Sequence, residues 1–167
     1  HARVAEENAD YEVAEARTVL EEAIDMEVRM FCVPGNNQGY PPSRAVAEEA
    51  GYHSILTLYD EINTLDTDPL RLARCPLHTR YPAPFFSAYD PYKRIHQAID
   101  AGGWIIDYCH CPMPDEPIHP AKDCTIEQLD KRFETVRRIG GDDVWLVEPN
   151  EAVEYMLNMR QTSGPDE

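Results

Sequence analysis

Apolar residues recur along the chain in two alternating patterns, one with the spacing of helices and one with the short runs of strands. Apolar positions three or four residues apart predict helices over 6–24, 42–50, 92–101, 125–139 and 149–160. Short apolar runs bounded by turn residues predict strands over 27–33, 54–58, 70–77, 104–108 and 144–147. This alternation is typical of βα units around a parallel sheet or barrel. Because the order begins with a helix, at least one strand is expected upstream.

Two of the predicted helices carry clear end signals and a clear apolar face. Thr125 is expected to cap the fourth helix, and Gly140 and Gly141 are expected to end it. The side chains expected to face the core are Ile126, Leu129, Phe133, Val136 and Ile139. In the first helix they are Val13, Ala16, Val19, Leu20, Ala23 and Ile24. Ser43 is expected to cap the second helix.

Irregular segments separate these elements. Residues 60–68 are predicted to be a polar loop and residues 81–91 an aromatic loop, and residues 111–123 carry four prolines. We expect residues 1–160 to form one partial domain and residues 161–167 a disordered tail.

Composition excludes some partners. Hydrophobic residues make up 43% of the 167 positions, enough for a chain of this length to build one core. The 31 acidic and 15 basic residues give a formal charge of -16, which argues against nucleic acid or an anionic membrane as a partner. No apolar run is long enough to span a bilayer.

The cysteine pattern favours free thiols. The chain has five cysteines, an odd number, and their spacing does not resemble a secreted disulfide framework. Free cysteines favour a cytoplasmic location. A zinc module around Cys109-His110-Cys111 is an alternative, but on a strand His110 would point away from both cysteines. Such a site would also need Cys75, His119 or Cys124 to converge on it.

The run from Gly102 to His110 ends in a histidine at the carboxyl end of a predicted strand, where α/β proteins place chemistry. An imidazole there can exchange a proton near neutral pH. Three further segments stand out for their sequence motifs: Phe31-Cys32-Val33-Pro34-Gly35, the pair Gly51-Tyr52, and Val144 through Arg160. Together they resemble, in order, the C-terminal two-thirds of a polysaccharide deacetylase (NodB homology) domain of the carbohydrate esterase family 4 type. The resemblance implies an α/β fold, a deformed (β/α) barrel that lacks its N-terminal strand or strands.

The resemblance also implies a chemistry. A divalent metal ion, which the resemblance implies to be zinc, would assist hydrolysis of an N-acylated sugar, a polysaccharide or a related small-molecule amide. By the same resemblance His1 is a metal ligand and His110 the general acid. Pro34 and Gly35 belong to the segment that holds the oxyanion through the Gly35 N–H. The acyl pocket would be walled by Trp104 and Tyr108.

The chain departs from the family pattern in ways that matter for function. The Thr-Phe-Asp-Asp-Gly segment that supplies the catalytic base and a metal ligand is absent, and Cys32 stands where the family has an arginine. We therefore expect this 167-residue chain to be inactive or nearly so. The alternative is a non-catalytic, carbohydrate-binding or scaffold relative that has lost the metal site. An open barrel edge would also favour homo-oligomers.

Overall fold

The structure, a computed structural model, describes residues 8–33, 41–59, 61–77, 91–119 and 123–162. The chain divides into two compact units. The first comprises residues 1–58, 67–72 and 148–167, and the second comprises residues 59–66 and 73–147.

Helices and strands alternate through both units. The α-helices are Ala16–Ile24 (α1), Pro41–Glu49 (α2), Pro91–Asp100 (α3), Ile126–Gly140 (α4) and Pro149–Thr162 (α5). The strands are Met30–Cys32 (β1), Ser54–Thr57 (β2), Leu72–Pro76 (β3), Ile106–Tyr108 (β4), Pro112–Met113 (β5) and Cys124–Thr125 (β6). A π-helical segment, Asp10–Glu15, leads into α1, and 3-10 turns lie at Pro69–Arg71 and Gly141–Asp143.

The main sheet is parallel. In the first unit β1 pairs with β2, with Met30 opposite Ser54, and β3 pairs with β4, with Arg74 opposite Ile106, in the second. In the second unit β5 and β6 form a separate parallel pair. The predicted α/β class with a parallel sheet is therefore confirmed.

The core of the first unit joins the π-helical segment, α2 and the β1–β2 pair. Its buried side chains are Val13, Val33, Ala47, Tyr52 and Ile55. Arg17 fastens α1 to this core, because its guanidinium lies 5.3 Å from the centre of the Tyr52 ring and its Nε donates to the Val28 carbonyl at 2.9 Å. Arg17 also donates to the Ala50 carbonyl.

The apolar face predicted for the first helix is only partly correct. Val13 is buried, whereas Val19, Leu20 and Ile24 are at least half exposed. The π-helical segment explains the difference, because its wider turns rotate the residues that follow it away from the phase of a regular α-helix.

The predicted ends of α4 are confirmed. The Thr125 hydroxyl accepts a hydrogen bond from the Gln128 N–H at 3.0 Å, and the Gln128 side chain accepts one from the Thr125 N–H at 2.9 Å. This reciprocal pair is a capping box. Gly141 ends the helix with a φ of 53°, a left-handed value that glycine adopts without strain.

The predicted inner face of α4 is wrong in part. Ile126 and Phe133 are about half exposed, and the buried positions are Arg132, Thr135, Val136 and Gly140. The buried face of α4 therefore includes a charged residue, Arg132, whose guanidinium donates to the Asp107 carboxylate on β4. A charged residue at that position gives no hydrophobic signal.

Four other predictions need correction. Residues 144–147 are not a strand; they follow a 3-10 turn and carry no strand assignment in the structure. Ser43 lies inside α2, which begins at Pro41, so it does not cap the helix. The tail is helical through Thr162, and residues 163–167 lie outside the described residues. The proline-rich segment, predicted to be irregular, contains β5.

The start of β4 also differs from the prediction. Trp104 forms an isolated antiparallel bridge with Asn63, and the strand itself begins at Ile106. The Asn63 side chain is buried at 1% exposure and clamps Ala73 of β3. Its amide donates to the Ala73 carbonyl at 2.9 Å and its oxygen accepts from the Ala73 N–H at 2.8 Å. Asn63 therefore joins the approach to β4 with the β3 backbone.

We expect Asn63→Ala to lower the free energy of unfolding by about 2 kcal/mol, because it leaves buried backbone groups of Ala73 without their partner. Urea denaturation measures the loss. Asn158→Ala, on the exposed surface of α5, is the matched control and should change stability by less than about 0.5 kcal/mol. If the two substitutions change the free energy of unfolding equally, the hydrogen bonds of Asn63 to the Ala73 backbone do not stabilise the fold.

Candidate active site at the carboxyl end of β4

His110 lies at the edge of the sheet where the parallel strands of the second unit end. β3 ends at Pro76, opposite Tyr108 at the end of β4, and the Leu77 N–H donates to the Tyr108 carbonyl at 2.9 Å. His110 follows two residues later, exposed and in a bend. The predicted location of this imidazole, just beyond the carboxyl end of a parallel strand, is confirmed. Its chemical role stays a prediction.

The two faces of the β3–β4 pair differ in character. Cys75 and Asp107 are opposite each other in the register and share one face, where Arg132 of α4 meets them. Arg74 and Tyr108 belong to the other face, with the Arg74 guanidinium 4.9 Å from the centre of the Tyr108 ring. Helix α4 therefore covers the Asp107 face, and Tyr108 belongs to the opposite one.

A bidentate ion pair fixes β4 against α4. The Arg132 Nε and Nη2 atoms donate to the two Asp107 carboxylate oxygens at 2.8 and 3.0 Å. The Arg132 side chain is 4% exposed and that of Asp107 is 27% exposed. A planar guanidinium that is hydrogen-bonded to both carboxylate oxygens restricts the rotation of both side chains. The pair thus fixes the strand three residues before His110.

Cys75 is not suited to act as a nucleophile. Burial raises the pKa of its thiol to about 12, the Asp107 carboxylate adds to the rise, and the Arg132 guanidinium partly offsets it. The thiolate, which is the reactive form, is therefore scarce at neutral pH.

A second group of cysteines lies where the chain leaves β4. The Cys124 N–H donates to the Cys111 carbonyl at 3.3 Å. Cys124 is fully buried, Cys109 is half-buried and Cys111 is exposed. Burial, the nearby Cys124 thiol and the negative charge of Asp123 raise the pKa of the Cys109 thiol to about 12.

Sequence reasoning missed this group of thiols. It treated residues 109–111 as strand, although β4 ends at Tyr108, and it gave no reason for Cys124 to approach. The approach depends on β5 and β6, in which Pro112 is opposite Cys124. A strand of two residues is too short to show a periodic apolar pattern, so the prolines of residues 111–123 predicted only an irregular segment.

The resemblance implies a metal ion, whose ligands would be His, Cys, Asp or Glu side chains. Within the part of the chain that the structure describes, no group of three or more His, Cys, Asp or Glu side chains could hold a metal ion. The described donors therefore do not fit a zinc site. His1, Pro34 and Gly35 lie outside the described residues.

The two predicted wall residues of the acyl pocket are both half-buried. The Trp104 indole N–H is buried and has no hydrogen-bond acceptor among the described residues, while the backbone of Trp104 is bonded to Asn63. The Tyr108 ring is held by Arg74. Their contact with a substrate stays a prediction.

None of the helices in the described ranges is both long enough and apolar enough to cross a membrane. Comparison with models of protein families, with curated proteins and with solved structures finds no match to this chain. The assignment to the polysaccharide deacetylases is therefore a proposal, supported by the local sequence patterns and by the parallel sheet.

Proposed function

We propose that this chain belongs to a metal-dependent hydrolase that removes acyl groups from N-acylated sugars or polysaccharide, or that cleaves a related amide C–N bond. In this proposal the parallel sheet is part of a deformed (β/α) barrel of the NodB type. The observation that carries the proposal is the exposed His110 directly beyond β4. Sites of α/β proteins are built at this end of the strands.

The role proposed for His110 is that of general acid. When an amide is hydrolysed, the departing nitrogen must gain a proton, because an amide anion is a very poor leaving group. The exposed imidazole of His110 is accessible to solvent and can supply that proton. The Asp107–Arg132 pair and the β3–β4 ladder hold β4, which ends two residues before His110.

A bound divalent ion would activate water and polarise the carbonyl in such a reaction. The described residues do not supply its ligands, so this part of the proposal rests on the resemblance alone. Reading the coding sequence upstream of His1 tests it directly. An apolar strand followed by two aspartates, with a histidine four residues before His1, would support the metal site, and an unrelated sequence would contradict it.

A second candidate function is carbohydrate binding without turnover. A shallow groove on the outer side of α4 is lined by Phe133 and Leu146, together with Asp130, Glu134 and Arg137. This mixture of apolar and charged side chains can contact the carbons and the hydroxyls of a sugar ring. The exposed Cys32, in place of the family's arginine, also favours this candidate.

Acetate release separates the two candidates. The product of the whole gene, with any residues encoded upstream of His1, is incubated with an N-acetylglucosamine oligomer, with and without a chelator. The fully deacetylated oligomer serves as the matched control. A hydrolase releases acetate, stops with chelator and resumes when zinc is added. Binding of the acetylated oligomer without acetate release would favour the second candidate, and the absence of both would overturn both.

A further inference from the structure

Large apolar side chains lie exposed along α1 and directly after it. The exposed fraction is 63% for Val19, 50% for Leu20, 52% for Ile24 and 68% for Met26. Leu20 and Ile24 are four residues apart, as are Val19 and Ala23, so they form two neighbouring rows on one side of the helix. We call these five residues the α1 face. Contiguous apolar surface that is exposed to water is typical of interaction sites.

The local backbone turns the α1 face away from the core. The π-helical segment Asp10–Glu15 buries Val13 but shifts the phase of the residues that follow it. Arg17 takes the inner position on α1, where its side chain is 15% exposed and donates to the Val28 carbonyl beside the Tyr52 ring. π-Helical segments are rare and occur frequently at functional sites, which agrees with a role for the surface that this one exposes.

Acidic residues border the α1 face. Residues 8–26 contain six acidic residues and one basic residue, Arg17. The Arg17 Nε lies 3.0 Å from a carboxylate oxygen of Glu21, so the one positive charge of this segment is already paired. Glu15 and Glu22, seven residues apart, are exposed along the edge next to Val19. The α1 face is therefore an apolar strip with a negatively charged border.

We propose that the α1 face binds a basic amphipathic helix of a separate protein. Apolar side chains three or four residues apart on that helix would pack between those of α1, and its lysine or arginine side chains would meet Glu15 and Glu22. A second copy of this chain fits less well, because a two-fold interface would bring the same acidic borders together and each chain has a formal charge of -16. The same acids would repel an anionic membrane. This inference does not depend on the proposed function.

Binding of a synthetic peptide tests the inference. The probe is a fluorescent peptide of about 18 residues, with leucines at helical spacing and lysines between them. A peptide with glutamate in place of every lysine is the matched control. Fluorescence anisotropy is followed while the product of the whole gene, with any residues encoded upstream of His1, is added. We expect saturable binding of the lysine peptide alone, weakened several-fold between about 0.05 and about 0.5 M salt.

A pair of apolar substitutions shows whether the peptide lies on the α1 face. Leu20→Ser should weaken binding of the lysine peptide about tenfold. Ile99→Ser, which replaces an exposed apolar side chain on α3, is the matched control and should leave binding unchanged. Both side chains are exposed, so both variants should keep the fold.

A pair of charge reversals tests the acidic border. Glu15→Lys combined with Glu22→Lys should weaken binding of the lysine peptide about tenfold and permit binding of the glutamate peptide. The same reversals at Asp115 and Glu116, exposed in the loop after β5, change the net charge equally and should alter binding less than about twofold.

Two results would overturn the inference. Equal losses in the α1 variants and in their controls would place the peptide elsewhere on the acidic surface. A wild-type protein that binds neither peptide would show that the α1 face does not accept such a helix, as expected if a second copy or another segment of the gene product already covers it. Sedimentation of wild type and Leu20→Ser identifies the second copy, since only a dimer formed through this face would dissociate in the variant.

Discussion

Replacing His110 by alanine should lower the kcat of the proposed deacetylation by about 10²–10⁴-fold, the range usual for loss of a general acid. KM should change little, because the imidazole would act on the leaving nitrogen in the transition state and contribute little to binding the ground state. His110 is exposed and lies beyond the last ladder bond of β4, so its removal should leave the fold intact. Steady-state acetate release measures the effect. The protein assayed is the product of the whole gene, with any residues encoded upstream of His1, because the 167-residue chain alone is expected to be inactive.

A change of leaving group distinguishes a general acid from a residue that only shapes the site. An aryl acetate departs as a stable phenolate and needs little protonation, so the variant should lose much less activity on it than on an N-acetylated sugar. His96→Ala, an exposed histidine on α3, is the matched control and should behave like the wild type on both substrates. Equal losses on the two substrates would remove His110 from the role of proton donor.

The alternation of elements could be predicted because it depends on local signals. The apolar spacing of α4, its Thr125 cap and its terminal glycine predicted that helix to within a residue of its observed ends. The short runs that became β2 and β4 were bounded by turn residues in the same way. Parallel pairing followed from the order of helices and strands rather than from any single residue.

The contacts that shape the candidate site could not be predicted, because polar residues far apart in the sequence make them. Asn63 and Arg132 are buried through partners on β3 and β4, and neither partner is marked by a pattern. The extended residues 144–147 resembled a strand, yet strand identity depends on a neighbour that the local sequence does not specify.

Asp107→Ala should be the most destabilising single substitution in the β4 region, with a loss of about 3 kcal/mol in the free energy of unfolding. The reason is the charge left behind rather than the contact removed. Arg132 is 4% exposed and donates two hydrogen bonds to the Asp107 carboxylate, so its guanidinium would stay buried without its counter-ion. Urea denaturation, followed by the signal of the two tryptophans, measures the loss.

The double variant Asp107→Ala with Arg132→Met separates these two causes. Methionine fills much of the arginine volume without a charge, so the double variant should recover more than half of the stability lost in Asp107→Ala. Asp130→Ala, an exposed carboxylate on α4, is the matched control and should change stability by less than about 0.5 kcal/mol. If the double variant is no more stable than Asp107→Ala, the unpaired charge is not the cause. In that case the ion pair would contribute by joining β4 to α4, and so by positioning the segment that carries His110.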